Sequence, residues 1–262
     1  MDWLSALILG IIQGLTEFLP VSSSGHLELG KEILNVEAKE NLIFTVVVHG
    51  ATVLSTIVIF RKDIFQLITE GIKFKNNTET HYILKILLSM VPVVILGLLF
   101  EDEINKLFDG NILLVGAMLI LTAILLAFTY YAKEKSKDIS YKNSFFIGIA
   151  QAIAVMPGIS RSGSTIAVGL LLGIKKEHIA KFSFLMVILP ILGANAKKIM
   201  DGGLAQAESI GALPLVVGFT AAFISGLLAC KWMINIINKG KLIYFAIYCL
   251  VIGSIAITYA LI

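Results

Sequence analysis

The sequence predicts an all-α polytopic membrane protein, an inverted-topology repeat with one re-entrant helical hairpin and three transmembrane helices per half. Three observations predict it. Hydrophobic residues fill 57% of the 262 positions and charged residues only 15%, against about 25% charge in a soluble domain, and mean hydropathy is +0.90. The charges gather in short clusters between apolar runs, as membrane chains arrange them. Two short apolar stretches, each ending in a serine-rich turn, recur 138 residues apart.

The first of these stretches runs from Trp3 to Leu15, too short to span, and continues into Thr16, Glu17, Pro20 and Ser22-Ser23-Ser24-Gly25-His26. Apolar residues then resume, which is the pattern of a half-helix, a turn and a second half-helix. Non-helical backbone at membrane depth persists only where protein buries it or a wet cavity meets it, so a re-entrant hairpin is expected. Spans follow at about Leu42 to Phe60, Tyr82 to Phe100 and Ile112 to Tyr131. Lys85 lies close enough to the start of its span to reach the interface. The second short stretch, Phe145 to Met156, runs into Pro157-Gly158 and Ser160-Arg161-Ser162-Gly163-Ser164, a second re-entrant hairpin. Spans at about Ile179 to Ala196, Ala212 to Cys230 and Leu242 to Ile262 complete the chain. One membrane domain is expected over residues 1–262, with repeat halves of approximately 1–138 and 139–262.

Aligned at that offset, six of the sixteen positions from Gly10 to Gly25 are identical, among them Gln13 with Gln151, Ser22 with Ser160 and Gly25 with Gly163. Three spans per half is an odd number, so the second half enters from the opposite side, and such folds put their site near the midplane where the repeats meet. The linkers carry fifteen Lys and Arg on one side, Lys133 and Lys135 among them, and five on the other, Lys39 among them. The basic side is the expected cytoplasmic side, with both termini outside. Met1-Asp2-Trp3 lacks a basic n-region, so no removable signal peptide is expected. Cys230 and Cys249 fall in apolar segments and read as small buried hydrophobes. No block of like charge marks a nucleic-acid partner.

The chemistry lies where the hairpins differ. Glu17 pairs with Val155, His26 with Ser164 and Ser23 with Arg161. An ionisable group at membrane depth is a functional hypothesis by default. Glu17 can hold a divalent cation, act as a base or pair with Arg161, whose planar fork suits phosphate oxygens. Serines at half-helix N-termini favour an anion, and one of them can be a nucleophile given a base such as His26 or Glu17. Each also has a structural alternative: serine caps, a Glu17–Arg161 salt bridge, a His26 that braces its own hairpin, and glutamines that brace backbone. His49, within the first long span, has no partner visible in sequence.

Gly14-Leu15-Thr16-Glu17-Phe18-Leu19-Pro20-Val21-Ser22-Ser23-Ser24-Gly25-His26-Leu27, with Pro157-Gly158-Ile159-Ser160-Arg161-Ser162-Gly163-Ser164-Thr165, closely resembles the integral membrane, bacitracin-resistance type of undecaprenyl-diphosphate phosphatase. The resemblance covers essentially the whole chain. It implies hydrolysis of undecaprenyl diphosphate to undecaprenyl phosphate and inorganic phosphate, recycling the lipid carrier of cell-wall synthesis. It also implies a divalent cation, Mg2+ or Ca2+, and a bacterial cytoplasmic-membrane location with the site opening outward. By motif position, Glu17 is the essential acid and metal ligand, Ser23 the candidate nucleophile, His26 a base or orienting group, and Arg161 the diphosphate holder. Gln13, Ser22, Ser24, Ser160, Ser162, Gly163 and Thr165 are the candidate substrate contacts. Gln13 stands where many members of the family carry a second acid, so a mechanism needing two carboxylates at that spacing does not transfer. Metal-activated water with Glu17 holding the metal fits the same residues as a serine nucleophile. Inverted repeats with broken helices also suit a secondary transporter or flippase for polyprenyl phosphates. Gly116, Gly218 and Gly226 permit close helix contacts within one chain or across a homodimer.

Overall fold

The computed structural model describes residues 1–36, 38–73, 75–107, 110–132, 137–201 and 210–262. Thirteen helices account for nearly all of them, and their starts follow from capping chemistry. The side chain of Asp2 accepts the N–H groups of Leu4 and Ser5 and opens α1, Trp3–Phe18. Ser22 opens α2, Ser23–Leu34, and Ser160 opens α9, Arg161–Leu171, each by accepting a glycine N–H three residues on. Asn77, Asn111 and Ser140 do the same for α5, Thr78–Leu99, α7, Ile112–Phe128, and α8, Tyr141–Ile153. Between these come α3, Ala38–Ile59, α4, Arg61–Gly71, and α6, Glu101–Lys106. Helices α10, Lys176–Met186, α11, Ile188–Met200, α12, Ala212–Asn238, and α13, Ile243–Leu261, complete the described chain.

Five elements are long and apolar enough to cross a membrane: Thr78–Leu99, Ile112–Tyr131, Lys176–Met200, Ala212–Asn238 and Ile243–Leu261. They correspond to five of the six expected spans. The sixth, about Leu42 to Phe60, falls in α3, whose axis turns by 78° into α4 at Phe60. The span expected as one helix from Ile179 to Ala196 is interrupted at Val187. Pro190 has no N–H for the carbonyl of Met186 and its ring crowds that carbonyl, so α10 stops there and the proline sits in the first turn of α11. Lys133 and Lys135, and the side chain of Lys39, all used in the charge balance, lie outside the described residues.

Lipid offers apolar side chains no hydrophobic gain from pairing, so close packing of small residues must hold these helices together. The longest packing faces are α1 on α12, α7 on α13, α3 on α12 and α5 on α8. A side chain on Gly14 would overlap Ser225 Oγ of α12 and lie 2.5 Å from the Ala222 carbonyl oxygen. Gly116 faces Gly253 and Ile257 of α13, Gly218 faces Phe44, and Gly226 faces Ser55 and Phe18. All three glycines are used inside the chain. Cys230 and Cys249 are free and buried, as expected. Lys85 extends over the ring of Tyr141, 5.6 Å from its centroid. Only 11% of the residues in the α5 span are buried by the rest of the protein, and most of the others are half-buried.

Candidate active site

Two turns meet inside the helical assembly. The first joins α1 to α2 through Leu19 to Ser22, and the second joins α8 to α9 through Ala154 to Ser160. Ser162 Oγ donates to the Leu19 carbonyl at 3.2 Å, tying the second turn to the first. Thr122 on α7 holds the second turn from behind: its hydroxyl donates to Gly158 O at 3.1 Å and accepts from Ser160 N at 3.0 Å. Gly158 has φ +94°, a conformation that L side chains rarely adopt, and Met118 Cβ lies 2.7 Å from where its Cβ would be.

Glu17 stands at the junction, 8% exposed. Its spacing from Gln13 puts both on one face of α1, and Gln13 Nε2 donates to Glu17 Oε2 at 2.9 Å. Ser23, the first residue of α2, donates its hydroxyl to the same oxygen at 2.7 Å. Arg161, the first residue of α9, forms an ion pair with Glu17 Oε1 and donates from Nη1 to Ser183 O at 3.2 Å. The structure thus brings Gln13, Glu17, Ser23 and Arg161 together from three helices, α1, α2 and α9. A buried carboxylate without a partner would be costly, and Arg161 neutralises this one. Because Ser23 and Arg161 both begin helices, two helix N-termini converge on the cluster, where unpaired N–H groups favour an anion.

The other expected residues divide by role. Ser22 and Ser160 cap their helices, to Gly25 N at 3.2 Å and to Gly163 N at 3.0 Å. Ser24 Oγ contacts Ser22 Oγ at 3.3 Å. Gly163 gives its N–H to that cap, and a Cβ on it would lie 2.9 Å from Ser160 Oγ and 3.2 Å from Pro20 Cβ, so it sits where the two turns press closest. Thr165 contacts Ser183 Oγ at 2.6 Å and donates to Arg161 O at 2.9 Å, bracing the start of α9. His26 has both ring nitrogens engaged away from the cluster, Nδ1 on Ser22 O at 2.8 Å and Nε2 on Tyr248 Oη at 2.9 Å.

His49 is the residue the sequence did not assign. It lies on α3 with Nδ1 against Thr45 O at 2.8 Å and Nε2 3.9 Å from Glu17 Oε2. The signal was an ionisable group inside an apolar span, but its partner lies on another helix. A narrow cleft opens on the cluster, lined by Glu17, Thr52, Thr56, Arg161, Phe184 and Val187. Among the described residues, no group of three or more His, Cys, Asp or Glu side chains could hold a metal ion. Gln13 Oε1, however, is buried beside Glu17 with no hydrogen-bond partner. One carboxylate and one free amide oxygen suit a hard cation that takes its remaining ligands from phosphate and water.

The sequence profile of the family described as Bacitracin resistance protein BacA matches residues 6–255. The chain belongs to that family. A relative from Bacteroides fragilis, named undecaprenyl-diphosphatase, is 57% identical over 263 residues, covering 98% of each chain. One of that name from Parabacteroides distasonis is 57% identical over 260 residues, again 98% of each. One from Methanobrevibacter smithii is 38% identical over 273 residues, covering 97% of this chain and 96% of its own. Membership of the BacA family, with the long apolar helices, makes this chain an integral membrane protein.

Proposed function

We propose that the chain hydrolyses undecaprenyl diphosphate to undecaprenyl phosphate and inorganic phosphate, the activity its near relatives are named for. One observation carries the assignment of chemistry to residues: Ser23 and Arg161, each starting a helix, both contact the buried Glu17 carboxylate, forming a single chain of contacts. A hydroxyl donating to a carboxylate is a nucleophile with its base in reach, and a guanidinium beside it suits a diphosphate. The diphosphate draws Arg161 from Glu17. Ser23 Oγ attacks the terminal phosphorus, Glu17 takes the hydroxyl proton, and the bond from that phosphorus to the bridging oxygen breaks. Undecaprenyl phosphate leaves with the proton, and water then cleaves the phosphoserine ester to release inorganic phosphate. A divalent cation would be held by Glu17 and Gln13 Oε1 together with the diphosphate, and when bound it supplies charge neutralisation of the phosphate oxygens. His26, held by Ser22 and Tyr248, orients the first hairpin.

We read the fold as one domain with two inverted halves, approximately 1–138 and 139–262, each opening with a re-entrant hairpin. Reciprocal packing supports this: α1 of the first half lies on α12, the second spanning helix of the other half, and α8 lies on α5, its counterpart. Gly10 approaches the Gly218 backbone of α12, and its repeat partner Gly148 approaches the Ser89 backbone of α5. The charge balance of the linkers supports an orientation with both termini outside, and family membership supports a bacterial cytoplasmic membrane with the site opening outward. Gln13, Glu17, Ser23 and Arg161 meet within one chain, so we read the site as complete in a monomer.

The experiment is phosphate release from undecaprenyl diphosphate by purified protein in detergent, comparing wild type, Glu17→Ala and Arg161→Ala, with divalent cation or with chelator. Release that collapses in both variants and on chelation is expected. A folded wild type that binds the lipid without releasing phosphate would overturn the reading in favour of lipid transport.

A further inference from the structure

We propose that His49 is a metal ligand, and that His49 Nε2, the Glu17 carboxylate and Gln13 Oε1 form the protein's share of a cation site completed by diphosphate oxygens. The proposal rests on the diphosphate reading of the cleft and assigns a residue which that reading leaves idle.

The orientation of His49 is that of a ligand. With Nδ1–H given to the Thr45 carbonyl at 2.8 Å, the ring's remaining lone pair is on Nε2. A carbonyl or carboxylate on the other ring nitrogen is the usual support of a metal-bound histidine, fixing both tautomer and ring plane. Nε2 looks toward Glu17 Oε2 across 3.9 Å, too long for a hydrogen bond. Two donors sharing one cation at metal–ligand lengths near 2.1 Å stand roughly 3–3.5 Å apart, so a movement of under about 1 Å converts the observed spacing into a shared site.

Gln13 supplies the independent observation. The residue is fully buried, its Nε2 reaches Glu17 Oε2 at 2.9 Å, and its Oε1 has no hydrogen-bond partner. A buried amide oxygen left unpaired carries a desolvation cost of about 1–3 kcal/mol. Turning the carboxamide over would point Oε1 at the carboxylate, which is repulsive unless a cation lies between them. With the carboxamide turned over, Oε1 and the imidazole Nε2 would both approach Glu17 Oε2, and one cation would serve all three.

Charge sets the order of events. Arg161 already neutralises Glu17, so a divalent ion entering alone would leave the buried cluster strongly positive. A diphosphate removes that excess, and metal and diphosphate should bind together. The donor set has one nitrogen among oxygens. Imidazole and carboxylate are both acceptable to Mn2+, whereas Ca2+ takes oxygen ligands, so Mn2+ is expected to bind more tightly than Ca2+.

The test reads metal binding directly. Full-length protein in detergent is titrated with Mn2+ with and without methylenediphosphonate, and bound Mn2+ is followed by electron paramagnetic resonance, with pulsed detection of nitrogen coupling. Wild type, His49→Gln and, as a histidine outside the cluster, His26→Gln are compared. Expected are diphosphonate-dependent Mn2+ binding with a histidine nitrogen signal in wild type and His26→Gln. In His49→Gln the signal is lost and binding falls about tenfold or more. Mn2+ bound without nitrogen coupling, or coupling that survives in His49→Gln, overturns the assignment of His49. Failure to bind Mn2+ at all in a wild type that still releases phosphate overturns the site while leaving the phosphatase reading standing. Absence of phosphate release is the separate failure of that reading.

Discussion

At the scale of single residues, the serines of the two turns look alike in sequence and do different work. Ser23 donates to Glu17 at 2.7 Å, whereas Ser160 caps α9 through Gly163. Ser23→Ala is therefore expected to lower kcat by about 10³-fold or more with little change in thermal unfolding, the size of loss typical when a nucleophile is removed. Ser160→Ala is expected to cost about 1 kcal/mol of stability, as loss of a cap does, while phosphate release persists. Calorimetry and phosphate release on the same preparations separate the two. Gln13→Glu should change the metal response in a defined direction. A second carboxylate offsets the charge of Arg161, so Mn2+ should bind in the absence of diphosphonate, which magnetic resonance titration reads. The motifs made Glu17, Ser23 and Arg161 legible, because each is polar where the chain is otherwise apolar. His49 was visible as an oddity only, since its meaning depends on a carboxylate carried by α1.

At the scale of elements, the position of Glu17 depends on how closely α1 lies against α12. Gly14 makes that approach, with Ser225, Ala222 and Gly226 within 3 Å of where its side chain would begin. Gly14→Ala must push the helices apart, at a cost of about 1–3 kcal/mol, as overpacking does. Because Glu17 follows less than one turn later, its contacts with Ser23 and Arg161 should loosen, and activity should fall more than stability does. Thermal unfolding beside phosphate release measures this. The hydropathy pattern marked the spanning segments, since length and apolarity are local properties. It did not reveal the break at Val187 or the bend at Phe60. A proline inside an apolar run is compatible with continuity, as Pro92 within α5 demonstrates, and only packing decides which proline interrupts.

At the scale of the whole molecule, the proposed inverted arrangement makes a prediction about sidedness. Lys73 follows α4 and Lys106 ends α6, and the linker charges assign them to opposite faces. With native Cys230 and Cys249 buried, Lys73→Cys and Lys106→Cys can be labelled separately with an impermeant maleimide. In intact cells Lys106→Cys should react and Lys73→Cys should react only after permeabilisation; the reverse pattern would invert the orientation and turn the cleft inward. By itself the sequence determined the solvent, five of the six spanning segments it marked, the two serine-rich turns and the ionisable residues in them. These follow from composition, periodicity and short motifs, each readable within a few tens of residues. Only the tertiary structure decided that Ser23 and Arg161 share one carboxylate, that His26 turns to Tyr248, and that His49 faces Glu17. Each pairing joins different helices, from six residues apart for Ser23 and Glu17 to 222 for His26 and Tyr248, and close packing against small residues, rather than any local preference, selects them.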